Sequence, residues 1–190
     1  MKKPILILLS LFSFSSPSVF GDNYNFFAPE LDFTLSDFCY SQPDVQYKEG
    51  VYYFPNEEVG ITAESICVLK DANGQYASKG KLKQGKFDGN WSFWRPNSKK
   101  WAEGNYIIGK QNDLWTYWYE NGQKWAEENY KEGKKDDKST FWNESGLKVS
   151  EENYKEGKKD GKSTFWNLSG EIKSEANWKD DECISGDCPD

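Results

Sequence analysis

Residues 115–138, WTYWYENGQKWAEENYKEGKKDDK, run straight into residues 139–162, STFWNESGLKVSEENYKEGKKDGK. Aligned without a gap, the two stretches share their aromatic start, a glycine eight places in and the block EENYKEGKKD. The same period of 24 residues extends to Trp91–Leu114 before them and Ser163–Gly186 after them, and a weaker unit, Cys67–Asn90, heads the series. A fixed short period without insertions marks a stacked array, in which no unit can bury its apolar side without its neighbours.

Within one unit the chemistry is that of a hairpin. Trp115-Thr-Tyr-Trp-Tyr119 is aromatic with a β-branched threonine, which suits a pleated strand. Asn121-Gly122 follows, a dipeptide that turns tightly because both residues tolerate positive φ. Lys124-Trp-Ala-Glu-Glu-Asn-Tyr130 makes a second strand, and Lys131-Glu132-Gly133-Lys134 turns the chain again. The predicted hairpin turns are Asn97-Ser98, Asn121-Gly122, Ser145-Gly146 and Ser169-Gly170, and the linker glycines are Gly109, Gly133 and Gly157. The expected fold is therefore all-β: an elongated antiparallel array of stacked hairpin repeats with N- and C-terminal caps.

The same slots recur down the array. Trp94, Trp118, Trp142 and Trp166 occupy one, and Phe93, Tyr117, Phe141 and Phe165 the slot before it. Glu103, Glu127, Glu151 and Glu175 form a third row, and Lys100, Lys124 and Lys148 a fourth. Adjacent strand residues face opposite ways, so the first two rows lie on opposite faces of the sheet. One row is expected to serve as the packing spine. The other is a candidate stacking platform, for which the tryptophans are the first choice because Trp is enriched at binding hot spots.

Outside the repeats, MKKPILILLSLFSFSSPSVFG reads as a signal peptide over residues 1–21: Lys2 and Lys3, then an apolar run too short to span a bilayer, then small residues. Residues 22–66 are expected to cap the array. Within them Tyr53-Phe54-Pro55-Asn56 echoes Trp94-Arg95-Pro96-Asn97 as a candidate shortened unit. Repeats then fill residues 67–178, and residues 179–190 form a cysteine-containing tail. Loss of residues 1–21 removes two lysines and no acid, taking the net charge from −7 to −9. Such a chain repels nucleic acid and anionic membranes, and no membrane span is expected in the mature form. The four cysteines, Cys39, Cys67, Cys183 and Cys188, suggest two disulfides in an exported protein. Three pairings exist, with Cys39–Cys67 and Cys183–Cys188 favoured because the latter two are close in sequence. The chain has no histidine, and Cys39 and Cys67 are too far apart to supply a zinc-ligand pair. No metal or other cofactor is expected.

The pattern W-x-Y/F-W-x-x-x-G-x-x-x-x-E-x-x-Y-x-x-G-K, clearest in residues 115–162, resembles the variant MORN repeat of bacterial proteins. The likeness covers residues 67–178 and implies a stacked hairpin fold with no shared catalytic residue. It also implies protein or membrane-lipid contacts, and members of the group are often labelled antitoxins. The residues themselves supply no nucleophile elbow, phosphate loop or metal cluster. Paired acids such as Glu127-Glu128 and Glu151-Glu152 point to opposite faces, which argues against glycosidase chemistry. The expectation is an exported, periplasmic or extracellular, non-catalytic scaffold for a protein or cell-envelope component. A glycan-binding module and an antitoxin-like neutraliser are the alternatives.

Overall fold

In the computed structural model the described residues are Ser41, 44–71 and 74–189, and every regular element among them is a β-strand. A short hairpin of β1 (Gln46–Lys48) and β2 (Val51–Tyr53) comes first. There follow β3 (Ala63–Asp71), β4 (Gly74–Lys83), β5 (Lys86–Trp94), β6 (Lys100–Ile107), β7 (Lys110–Trp118) and β8 (Lys124–Lys131). The series ends with β9 (Lys134–Trp142), β10 (Lys148–Lys155), β11 (Lys158–Trp166), β12 (Ile172–Lys179) and β13 (Glu182–Gly186). Strands β3 to β13 pair in strict chain order into one 11-stranded sheet, antiparallel throughout. The starts of β5, β7, β9 and β11 repeat the 24-residue period, so the stacked-hairpin expectation holds. The weak unit Cys67–Asn90 holds the second half of β3, all of β4 and the start of β5. The tail differs from expectation: residues 182–186 add a thirteenth strand instead of running free past the last repeat.

The turns fall where expected but exchange geometries. At the hairpin end only the second residue of each pair has positive φ: Ser98, Gly122, Gly146 and Gly170. There the amides of Ser98 and Gly122 donate to the carbonyls of Arg95 and Tyr119, closing a turn one residue wider than Asn-Gly implies. Asn121 instead accepts the Gln123 amide through its side chain (2.9 Å), holding the loop from within. The tight two-residue turns, both residues left-handed, are the linkers: Ile108-Gly109, Glu132-Gly133 and Glu156-Gly157. Each linker glycine also donates its amide to the preceding repeat: Gly109 to Phe87 (2.7 Å), Gly133 to Gln111 (2.8 Å), Gly157 to Lys135 (2.7 Å). At the opposite end the Tyr119 hydroxyl donates to the Trp142 carbonyl (2.9 Å) and Arg95 to that of Trp118 (3.2 Å). Consecutive repeats are thus stitched at both ends.

Two irregularities per repeat bend the sheet. In β5 and β7 the register with the preceding strand shifts around Gly89 and Asp113, both with positive φ. Between Phe93 and Trp94 it shifts again, because Lys100 and Trp101 occupy the space of one residue. Bulges add twist and curvature, which gathers the apolar side chains of neighbouring strands on one face of the open sheet. The β3–β4 pair runs from Ala63↔Leu82 to Asp71↔Gly74 without a shift, so the weak first unit keeps the irregularity at Gly89 but lacks the one at its hairpin end.

The curl defines the core. Trp91 and Trp115 are 1 % and 2 % exposed. Each indole lies where a Cβ on Gly80 or Gly104 would stand, so both glycines are fixed by close approach. Ile61 and Leu82 complete the core cluster with Trp91, and Tyr52 and Phe87 pack against it.

Two substitutions test the linker geometry in urea melts. Gly133→Val should destabilise by about 1–2 kcal/mol, the cost of a left-handed β-branched residue. Ile108 is a β-branched residue at φ 50 and is largely exposed. Ile108→Asn should therefore stabilise by about 1 kcal/mol. Equal midpoints in both variants would show that these turns exert no such constraint.

Candidate functional site

From Tyr47 an unbroken line of rings crosses the curled face. Tyr47 meets Tyr52 (centroids 4.6 Å apart), Tyr52 meets Phe87 (6.0 Å), and Phe87 stacks on Trp91 (3.9 Å). The line continues from Trp91 to Tyr106 (6.5 Å), Trp115 (4.9 Å) and Tyr117 (6.1 Å). It ends in the open. Trp101 packs on Phe93 (5.7 Å) and Trp125 on Tyr117 (5.6 Å), yet these two indoles are 37 % and 43 % exposed. Both sit at the bulge opposite Phe93-Trp94 or Tyr117-Trp118, where the extra residue sets the side chain beside the inner row. Val149 occupies the same slot in the next repeat and is also exposed.

The expected tryptophan row lies on the other face. Trp94 is buried, and Trp118, Trp142 and Trp166 are half-buried. Lys100 extends its ammonium over both Trp94 (5.7 Å) and Trp118 (6.0 Å), and Lys148 lies over Trp166 (5.1 Å). Thr116, Thr140 and Thr164 are buried, and the Thr164 hydroxyl donates to Glu175 (3.1 Å). The lysines and glutamates pair first along one strand, Lys100–Glu103 (2.8 Å), Lys124–Glu127 and Lys148–Glu151 (3.0 Å), and then across strands, Lys162–Glu175 (2.6 Å). Phe93, Tyr117, Phe141 and Phe165 are half-buried on the curled face.

Halfway along the array the core changes chemistry. The slot of Trp91 and Trp115 is taken by Ser139 and Ser163, and that of Gly80 and Gly104 by Glu128 and Glu152. Both glutamates are buried, and Ser139 and Ser163 are wholly so. Lys135 reaches Glu128 (2.5 Å) and Lys159 reaches Glu152 (2.9 Å). The Tyr130 and Tyr154 hydroxyls donate to the same carboxylates, at 2.6 and 2.8 Å. Lys135 also lies over the rings of Phe141 (5.3 Å) and Tyr154 (5.1 Å). Burial, and then the bond to a carboxylate that an anionic oxygen would oppose, hold Tyr130 and Tyr154 above the ordinary tyrosine range. Burial raises Tyr117 as well. Sequence reasoning missed both this switch and Trp101 and Trp125. The signal for the switch was the paired exchange of Trp for Ser and Gly for Glu.

An open groove of about 1090 Å³ lies along the linker side, lined by groups such as Lys134, Asp136, Asn153, Tyr154 and Asp160. Five lysines and five acidic residues line it, with Lys110–Glu132 (3.9 Å) and Lys179–Asp160 (2.7 Å) among its ion pairs, so it concentrates neither sign. Cys183 and Cys188 form a disulfide, as expected. Cys67 is buried and disulfide-bonded on β3, while its expected partner Cys39, like the signal segment, lies outside the described residues. No family model matches the chain, and no curated protein matches it.

The tyrosines carry a pH prediction. Their folded-state pKa lies above the unfolded value of about 10, so the stability they confer is present below pH 10 and is lost as pH rises beyond it. The melting midpoint should fall as pH rises from about 10. Tyr130→Phe with Tyr154→Phe should flatten that fall, read by circular dichroism. An equally steep fall in the double variant would place the titration elsewhere.

Proposed function

We propose that this protein is an exported, non-catalytic repeat scaffold of the MORN-variant type that binds an extended partner in the cell envelope. The single observation that carries the reading is the exposed pair Trp101 and Trp125, one repeat apart and backed by Phe93 and Tyr117. Two strands per repeat put these equivalent side chains about 10 Å apart. An extended partner meets them in turn, and linked weak contacts gain avidity. Large exposed indoles on a rigid sheet lose little conformational entropy on binding, which is why Trp dominates hot spots. The Cys183–Cys188 disulfide is compatible with an oxidising destination, and a periplasmic or extracellular site is proposed on that basis together with the leader-like first residues.

The expected row Trp94, Trp118, Trp142 and Trp166 is secondary in this reading, because Trp94 is buried and Lys100 and Lys148 lie over Trp118 and Trp166. A protein partner is the first choice. A neutral polysaccharide is the second, favoured by the flat indole faces repeated at one spacing. The antitoxin-like role rests on the sequence resemblance alone.

Sedimentation with washed cell envelopes tests the proposal. Wild type should co-sediment, and Trp101→Ala with Trp125→Ala should lose at least tenfold in affinity while the melting midpoint changes little, since both side chains are already partly in solvent. Protease treatment of the envelopes should abolish binding if the partner is a protein and leave it intact if it is a glycan. Equal binding by wild type and the double variant would remove this strip as the site.

A further inference from the structure

The last strand of the sheet is held in an unusual way. β13 makes four register pairs with β12, from Ala176↔Gly186 to Lys179↔Glu182. It contributes no apolar anchor: Ile184 is 61 % exposed, and Glu182, Ser185 and Gly186 are exposed too. What retains it is local. The disulfide joins Cys183, within the strand, to Cys188 just beyond it. Asp187 then grips both outward backbone groups of Glu175, its amide donating to the carbonyl (2.7 Å) and its carboxylate accepting the amide (3.1 Å). Cys188 donates its amide back to the Gly186 carbonyl (3.0 Å), and Pro189 has no amide to offer. The tail therefore ends a ladder that would otherwise present another pairing edge.

We infer that the Cys183–Cys188 loop is a cap on a self-pairing edge, and that opening it frees β12 to pair antiparallel with β12 of a second copy. A dithiol opens it: the reagent attacks one sulfur, passes through a mixed disulfide and leaves as its own cyclic disulfide, with Cys183 and Cys188 ending as protonated thiols. Without the closed loop β13 has its short ladder, Asp187 and the Asn177–Ser185 side-chain bond (3.0 Å), and no buried side chain, to keep it on the sheet. A second copy is the fitting occupant because β12 is eight residues long, twice the stretch that β13 pairs. The copy brings the same row of outward groups, which a two-fold axis makes self-complementary. Every neighbouring pair from β3 onward is already antiparallel.

Light scattering after gel filtration decides the matter. The oxidised protein should elute as a monomer. Cys183→Ser with Cys188→Ser should dimerise without reductant, which separates the effect from reduction of the Cys67 disulfide. Adding Asn177→Pro, which removes an outward amide of β12 and leaves the ladder to β11, should restore the monomer. A monomeric double variant with a native β spectrum would overturn the proposal, as would a dimer indifferent to the proline. Should the proline variant fail to fold, amide exchange on the double variant replaces it. The Glu175 and Asn177 amides should exchange at least tenfold more slowly in the concentrated dimer than after dilution. Unchanged exchange would overturn the proposal equally. Binding through Trp101 and Trp125 is a separate property, since neither residue is altered.

Discussion

A sheet one layer thick has nothing to pack against but itself, and the tryptophan-on-glycine contact is how this one solves the problem. Trp91 over Gly80 and Trp115 over Gly104 each bring an indole down onto bare backbone of the preceding strand. Hiding such a ring is worth about 4–6 kcal/mol of transfer free energy as an upper figure. The geometry requires a curl, and the curl requires the bulges that recur in every full repeat. Buried Ala102 and Ala126 continue the logic, since small residues along the middle of the sheet leave room for the large ones beside them.

The second half of the array fills the same slots by another route. Glu128 with Lys135, and Glu152 with Lys159, replace indole and glycine. Buried ion pairs contribute little net stability, but removing one partner costs roughly 3–5 kcal/mol because the other is left unpaired. The tyrosine hydroxyls occupy further lone pairs on these carboxylates, which lowers the cost of desolvating them. One end of the protein is thus an apolar core and the other a charged one, within a single repeat geometry. The exposed indoles flank the aromatic line, Trp101 on Phe93 beside it and Trp125 on Tyr117 at its end.

Stitching at the turns explains how both halves keep the same geometry. Linker amides bond the preceding repeat regardless of the core beside them, Gly109 to Phe87 in the apolar half and Gly157 to Lys135 in the charged half. Backbone continuity therefore sets the rise of the array, and side chains are free to vary. Such an array has no built-in end, which makes its terminal edge the place where pairing must be stopped.

The 24-residue period, the strand order and the positions of the turns follow from the sequence alone, because hairpin chemistry is local: Gly122 and Gly133 turn the chain with whatever packs above them. Which turn is the tight one did not follow. Asn121 has a left-handed preference on paper, but its side chain closes the wider loop, while Glu132 takes the left-handed position because the linker must stack on Gln111. Nor did the sequence rank the aromatic rows. Alternation assigns Phe93 and Trp94 to opposite faces, yet burial depends on which way the sheet curls, and a bulge shifts Trp101 to the inner row's side. The first choice of Trp94 and its equivalents came from spacing. Tertiary structure set lysines over Trp94, Trp118 and Trp166 and exposed Trp101 and Trp125, because curvature belongs to the whole sheet and to no single repeat.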